Sequence, residues 1–174
     1  MDHASTFLRT QVHNAVVQHG TLLRSLEDHE AQADDPRLRD LCARHIPHMR
    51  GHQRMLEEYQ SQLGGGEDLS AKVVGSVINV ARDLADAARD SDYDHLIVDI
   101  VMARQSEDMF KTFREAGKMM GNHTLHEIGD IGERHHDAYV KEANRLLQHM
   151  FVEHAQGVDG VARQSAYTQV DASV

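Results

Sequence analysis

The chain has 174 residues, with 18 Lys and Arg side chains against 28 Asp and Glu, so its formal net charge is −10 when histidine is neutral. It also contains 14 histidines and a single cysteine, Cys42. This length is typical of one domain, and one cysteine excludes a disulfide within the chain. Because the chain opens without a secretory signal pattern and is poor in cysteine, we expect a cytoplasmic protein.

Charge and hydropathy argue against two classes of partner. No apolar run approaches the roughly 18 to 20 residues needed to span a bilayer. The basic residues are dispersed in an acidic chain, which disfavours binding to phosphate backbones. We therefore expect neither a membrane nor a nucleic-acid partner.

The first two helices are predicted from apolar residues recurring every three or four positions. The first runs from Ser5, taken as its N-cap, to Ala33. Asp35 is a suitable N-cap for the second helix, with Pro36 at the first helical position, where its missing N–H costs nothing. This second helix ends before Gly64.

The remaining chain predicts three more helices and a tail. A third helix covers about 69–89, and a fourth begins after the polar break at 90–92 and ends near Met120. Gly121 suits the C′ position, and Thr124 with Glu127 has the form of a capping box that opens a fifth helix reaching about His154. Residues 156–174 are polar, without sustained apolar periodicity.

This pattern predicts an all-α protein. Two helical hairpins joined through an additional helix favour a ferritin-like four-helix bundle with one long crossover that contains the extra helix. The bundle would occupy residues 1–155, and residues 156–174 would form a polar C-terminal tail.

Histidines and glutamates interrupt the apolar faces of these helices. Residues three or four apart share one helix face, so His48 with His52, and Glu133 with His136, are each spaced to bind one ion. Glu133 to His136 also has the Glu-x-x-His form found in di-metal carboxylate bundles. The predicted metal ligands are His19, His48, His52, Glu107, Glu133 and His136, with His45 as a further candidate. Such an imidazole-rich set suits transition metals, and iron or zinc leads.

Two other interpretations stay open at this stage. The helices could enclose a polar, hydrogen-bonded histidine core without a metal, in a non-catalytic stress or interaction protein whose metal site is degenerate. A haem-binding bundle with axial histidines is the other. No sequence motif assigns catalytic residues, so whether the protein is an enzyme is left open.

The segment 35–57 resembles the second helix of the YciF-like ferritin-like family of bacterial stress proteins. That family shows a Pro-x-Leu start, then His-Leu-x-Glu-Thr-x-x-His or Gln, then Arg-Leu-Glu. His45, His52, Leu56 and Glu57 match it, whereas His48 stands at its glutamate position and Met49 at its threonine. Spacing back from Pro36 also places His19 where the family's first helix carries a glutamate.

The resemblance implies a five-helix ferritin-like bundle, often dimeric, that can carry a di-metal centre. Because histidine replaces glutamate at two positions, the ligand set has two carboxylates instead of the four of a ferritin-type site, which disfavours a di-ferric state. We therefore expect a homodimeric, stress-related, transition-metal-binding protein, and whether it carries out oxygen or peroxide chemistry is left open.

Overall fold

The computed structural model describes residues 3–64 and 91–157, which are helical apart from short turns and contain no strand. The helices are α1 (His3–Gln32), α2 (Pro36–Gln62), α3 (Asp92–Met120) and α4 (His123–Ala155). The all-α prediction is confirmed. The predicted helix at 69–89 and most of the predicted tail lie outside the described residues. Among the helices that are described, none is both long and apolar enough to cross a membrane.

The four helices form a bundle in which each packs against two antiparallel neighbours. The hairpins α1–α2 and α3–α4 form two sides, while α1 also contacts α3 and α2 contacts α4. At one end Arg37, at the start of α2, pairs with Glu153, at the end of α4. At the other end Tyr59 accepts a hydrogen bond from Asn122.

The direction of α3 follows from the contact between the backbone N–H of Asp35 and the carboxylate of Asp92. The starts of α2 and α3 therefore lie together, and these two helices run parallel. Since α2 has 27 residues, its ends are about 40 Å apart. The connection from α2 to α3 thus joins opposite ends of the bundle.

The helix termini confirm some predicted caps and correct others. Asp35 accepts a hydrogen bond from the N–H of Arg37, and Gly121 has a left-handed φ of 65°. The predicted caps at Ser5 and Thr124 are wrong, because both residues lie inside helices. Asn122 caps α4 instead, since its side-chain oxygen reaches the N–H of Leu125.

The core consists of two apolar clusters separated by a polar layer. One cluster contains Leu22, Leu41, Ala103 and Tyr139, and the other contains Val12, Leu56, Phe110 and Leu125. Each of the four helices contributes residues to both clusters, and one buried polar residue lies between them in its sequence. These residues are His19, His52, Ser106 and His136.

Close contact between α3 and α4 decides which residues face this layer. A Cβ added at Gly132 would overlap the ring of Phe110, and one at Gly129 would overlap the backbone of Arg114. These glycines therefore face the neighbouring helix. The next residue, Glu133, is turned toward the edge of α4, where Arg114 pairs with it.

Replacing Gly132 by Ala tests this close contact. Alanine normally stabilises a helix interior by about 1 kcal/mol relative to glycine. Here we expect a net loss of about 1–3 kcal/mol in the free energy of unfolding, because the methyl group must displace Phe110. Urea titration measures the change.

Gly51→Ala is the matched control, since nothing lies within 4 Å of a Cβ at that position. It should stabilise α2 by about 0.5–1 kcal/mol. Equal stabilisation by both substitutions would contradict the described packing of α3 against α4.

Candidate metal centre

Three imidazoles meet in the polar layer. His19 comes from α1, His52 from α2 and His136 from α4, and their exposed fractions are 0%, 2% and 0%. One ring nitrogen from each lies within 4.8 Å of the others, so the three can share one metal ion. Their ring centroids are 5.3 to 5.8 Å apart.

Hydrogen bonds orient two of these rings. Nδ1 of His136 lies 2.8 Å from the carbonyl oxygen of Gly132, which can only accept, so Nδ1 carries the proton. Nδ1 of His19 likewise lies 2.9 Å from Oε1 of Gln53, whose NH₂ group donates to Glu57. In both neutral rings Nε2 therefore has a free lone pair. A metal-binding histidine typically donates its other N–H in this way.

The third ring is linked to a fourth histidine. Nε2 of His52 lies 2.8 Å from Nδ1 of His135, which is half-buried on α4. This leaves Nδ1 of His52 buried without a hydrogen bond, as are Nε2 of His19 and Nε2 of His136. Each histidine of the triad thus has one engaged nitrogen and one that lacks a partner.

Burial keeps the triad neutral. Desolvation lowers the pKa of His19 from 6.5 to about 4, although the hydrogen bond that His19 donates to Gln53 opposes this. Desolvation, with repulsion from the neighbouring imidazoles, lowers the pKa of His52 to about 2 and that of His136 to about 3. All three are therefore unprotonated at neutral pH, as metal ligation requires.

The other predicted ligands lie outside this triad. Glu107 is half-buried beside Arg104, 3.0 Å away, because Ser106 occupies the inward position one residue earlier. Glu133 pairs with Arg114, and the inward position is occupied by the buried Gly132. His48 is exposed at the surface of α2.

His45 is buried but lies in a neighbouring layer. Its ring centroid is 5.3 Å from that of Tyr139, and its Nε2 is 3.4 Å from a carboxylate oxygen of Glu142. The triad is therefore the part of the predicted ligand set that the structure brings together, and it carries no carboxylate of its own.

Three residues near the triad were missed as participants or given little weight by sequence analysis. Gln53 positions His19, and Ser106 faces the layer with a buried hydroxyl that lacks a hydrogen bond. His135 extends the histidine cluster outward from His52. The spacing from Ala103 to Phe110 could have indicated Ser106, whereas the role of Gln53 depends on its contact with another helix.

A second set of polar side chains meets near the end of α1 and the start of α3. Asp99 accepts hydrogen bonds from the hydroxyl of Ser25, at 2.7 Å, and from Nδ1 of His29, at 2.6 Å. Burial lowers the pKa of His29, but the hydrogen bond and charge of Asp99 outweigh burial and raise it. These contacts satisfy the buried carboxylate, so this group stabilises the α1–α3 interface.

Compared with protein families, curated proteins and solved structures, the chain has no match.

The neutral triad predicts loss of stability in acid. Between pH 6.5 and about 4 the unfolded chain protonates these histidines while the folded state does not, so the metal-free protein loses stability as the pH falls. Each such proton contributes about 1.4 kcal/mol per pH unit. His29 has the opposite effect, because its pKa is raised in the folded state. Its contribution to stability is complete below pH 6.5 and is lost as the pH rises above that value.

Urea titrations of the metal-free protein at several pH values measure this slope. His52→Leu should reduce it by up to about 1.4 kcal/mol per pH unit, since one proton is no longer taken up on unfolding. The exposed residue His149 provides the control substitution, His149→Leu. An unchanged slope in His52→Leu would contradict a neutral buried imidazole at position 52.

Proposed function

We propose that this protein binds a transition-metal ion between α1, α2 and α4 through His19, His52 and His136. One observation carries the proposal: each ring has a buried nitrogen without a hydrogen bond, and the three rings come together. A buried polar atom without a partner costs about 1–3 kcal/mol. One shared ion would satisfy all three.

The donor set favours zinc or iron(II) as the ion. Neutral imidazoles suit borderline transition metals, whereas Mg²⁺ and Ca²⁺ prefer oxygen ligands. Three protein ligands would leave a fourth coordination position open, as in catalytic zinc sites. Water or a small anion would be expected there, because the three ligands provide no negative charge. If the ion is iron(II), this open position would also allow oxygen or peroxide to bind.

We also propose a ferritin-like bundle of the YciF-like, stress-related type that acts as a homodimer. The arrangement of helices supports the ferritin-like part, since two antiparallel hairpins with parallel α2 and α3 are joined by one long crossover. The match of His45, His52, Leu56 and Glu57 to the family pattern supports the YciF-like part. A di-metal site would need ligands beyond the triad, so we favour a single ion.

Metal titration of untagged, chelator-treated protein tests the proposal. Zn²⁺ or Co²⁺ should bind with a stoichiometry of one per chain by calorimetry. At free metal 100 times above Kd, binding should add about 2.7 kcal/mol to the free energy of unfolding. Co²⁺ should also develop the visible absorption of a low-symmetry nitrogen site.

The variants His136→Ala and His19→Ala should lose this stabilisation and the Co²⁺ spectrum. His149→Ala, on the exposed surface of α4, is the matched control and should retain both. Binding that is unaffected by the two triad substitutions, or absent from the unsubstituted protein, would refute the proposed site.

A non-catalytic histidine core is the second candidate, and the position of Phe110 favours it. The centroid of this ring lies 5.7, 5.5 and 4.9 Å from those of His19, His52 and His136. A phenyl ring against three imidazoles fills space in the layer and contributes aromatic packing. On this interpretation the histidines pack in the core without binding an ion.

The melting temperature of His52→Leu, compared with that of the unsubstituted protein with and without Zn²⁺, distinguishes a metal site from a histidine core. Without metal, either function allows a stabilised variant, because a buried nitrogen that lacks a hydrogen bond is removed. With Zn²⁺, the metal site predicts that the unsubstituted protein becomes the more stable of the two. A histidine core predicts that Zn²⁺ leaves the order of melting temperatures unchanged.

A further inference from the structure

Two histidines outside the triad form a path from the surface of the bundle to its interior. His48 is exposed on α2, and its ring centroid lies 4.2 Å from that of the half-buried His135 on α4. His135 in turn hydrogen-bonds His52, a member of the triad. Imidazoles therefore follow one another from solvent to the buried nitrogens, across the interface between α2 and α4.

We propose that His48 and His135 form an outer capture position for a divalent transition metal, through which the ion reaches the triad. This inference rests on the proposed function of the triad. It assigns His48 a role in uptake, distinct from that of a final ligand.

The triad needs such a path because its nitrogens have almost no contact with solvent. A hydrated ion must lose most of its water before it can bind there, and apolar side chains cannot replace that water. Two imidazoles at the surface can replace part of the hydration shell first. Transfer from the outer pair to His52 then proceeds between nitrogen ligands.

The charges around the outer pair allow a cation to approach. Arg44, one turn before His48, and Arg134, next to His135, are each paired with a carboxylate at 3.0 Å, Glu142 and Asp130 respectively. The chain as a whole carries a formal charge of −10, which raises the local concentration of cations. The paired carboxylates therefore offset the positive charges of these arginines, so a metal cation can approach the outer pair.

The direction of the hydrogen bond between His52 and His135 decides whether the outer pair or the triad has a free lone pair for the metal. When Nδ1 of His135 donates to Nε2 of His52, Nε2 of His135 has a free lone pair for an outer ion. When the bond is reversed, Nε2 of His52 donates, and Nδ1 of His52 has its lone pair for the triad. The reversal removes one proton from Nδ1 of His52 and adds one to Nε2 of His135, so the number of protons is unchanged.

Stopped-flow loading with Co²⁺ tests this path in the full chain. His48→Ala should slow both Co²⁺ loading and its removal by a chelator by the same factor, at least several-fold. The final stoichiometry, spectrum and Kd should stay unchanged, because His48 only affects the rate. His149→Ala is the matched surface control and should load at the rate of the unsubstituted protein.

His135→Gln provides a second variant, since its amide can still hydrogen-bond His52 but binds metal poorly. It should also slow loading. Normal loading rates in both variants would overturn the capture position while leaving the triad intact. Loss of the final Co²⁺ spectrum in His48→Ala would also overturn it, because His48 would then be a permanent ligand. No Co²⁺ uptake by the unsubstituted protein would instead refute the proposed function itself.

Discussion

The structure depends on a single constraint, which is that each helix contributes one polar residue to the same buried layer. His19, His52, Ser106 and His136 interrupt the apolar sequence of four different helices at one level. Polar groups removed from water must find partners or lower the stability of the fold. Partners exist for one nitrogen of each imidazole, whereas the others face a common space. These unpartnered nitrogens lower the free energy of unfolding, and a bound ion would remove that loss.

Packing around the layer makes its geometry specific. Gly132 allows Phe110 to lie against the rings, and the carbonyl of Gly132 also determines the tautomer of His136. Gln53 does the same for His19 while being held by Glu57. Orientation of the buried nitrogens therefore comes from neighbouring residues that would not themselves touch an ion. Such supporting contacts commonly set the affinity of a metal site.

The histidines divide into groups with different chemistry because their surroundings differ. Burial lowers the pKa of the triad members, and it also lowers that of His135, where repulsion from His48 adds to the effect. Asp99 instead raises the pKa of His29. One residue type thus provides neutral imidazoles that could hold a metal ion in one layer and a protonatable partner for a carboxylate in another. The high histidine content of the chain therefore has more than one structural explanation.

The sequence by itself determined the helical class, the bounds of α2, the caps at Asp35 and Gly121, and the presence of His19, His52 and His136 on inward faces. These follow from local periodicity and backbone chemistry, which depend on residues only a few positions apart. Tertiary structure alone decided which neighbouring residue faces inward. On α3, Ser106 faces the layer and Glu107 lies beside Arg104. On α4, Gly132 contacts Phe110, so Glu133 lies beside Arg114. A shift of one residue rotates a side chain by about 100° around a helix, and only the packing of another helix can select between the two.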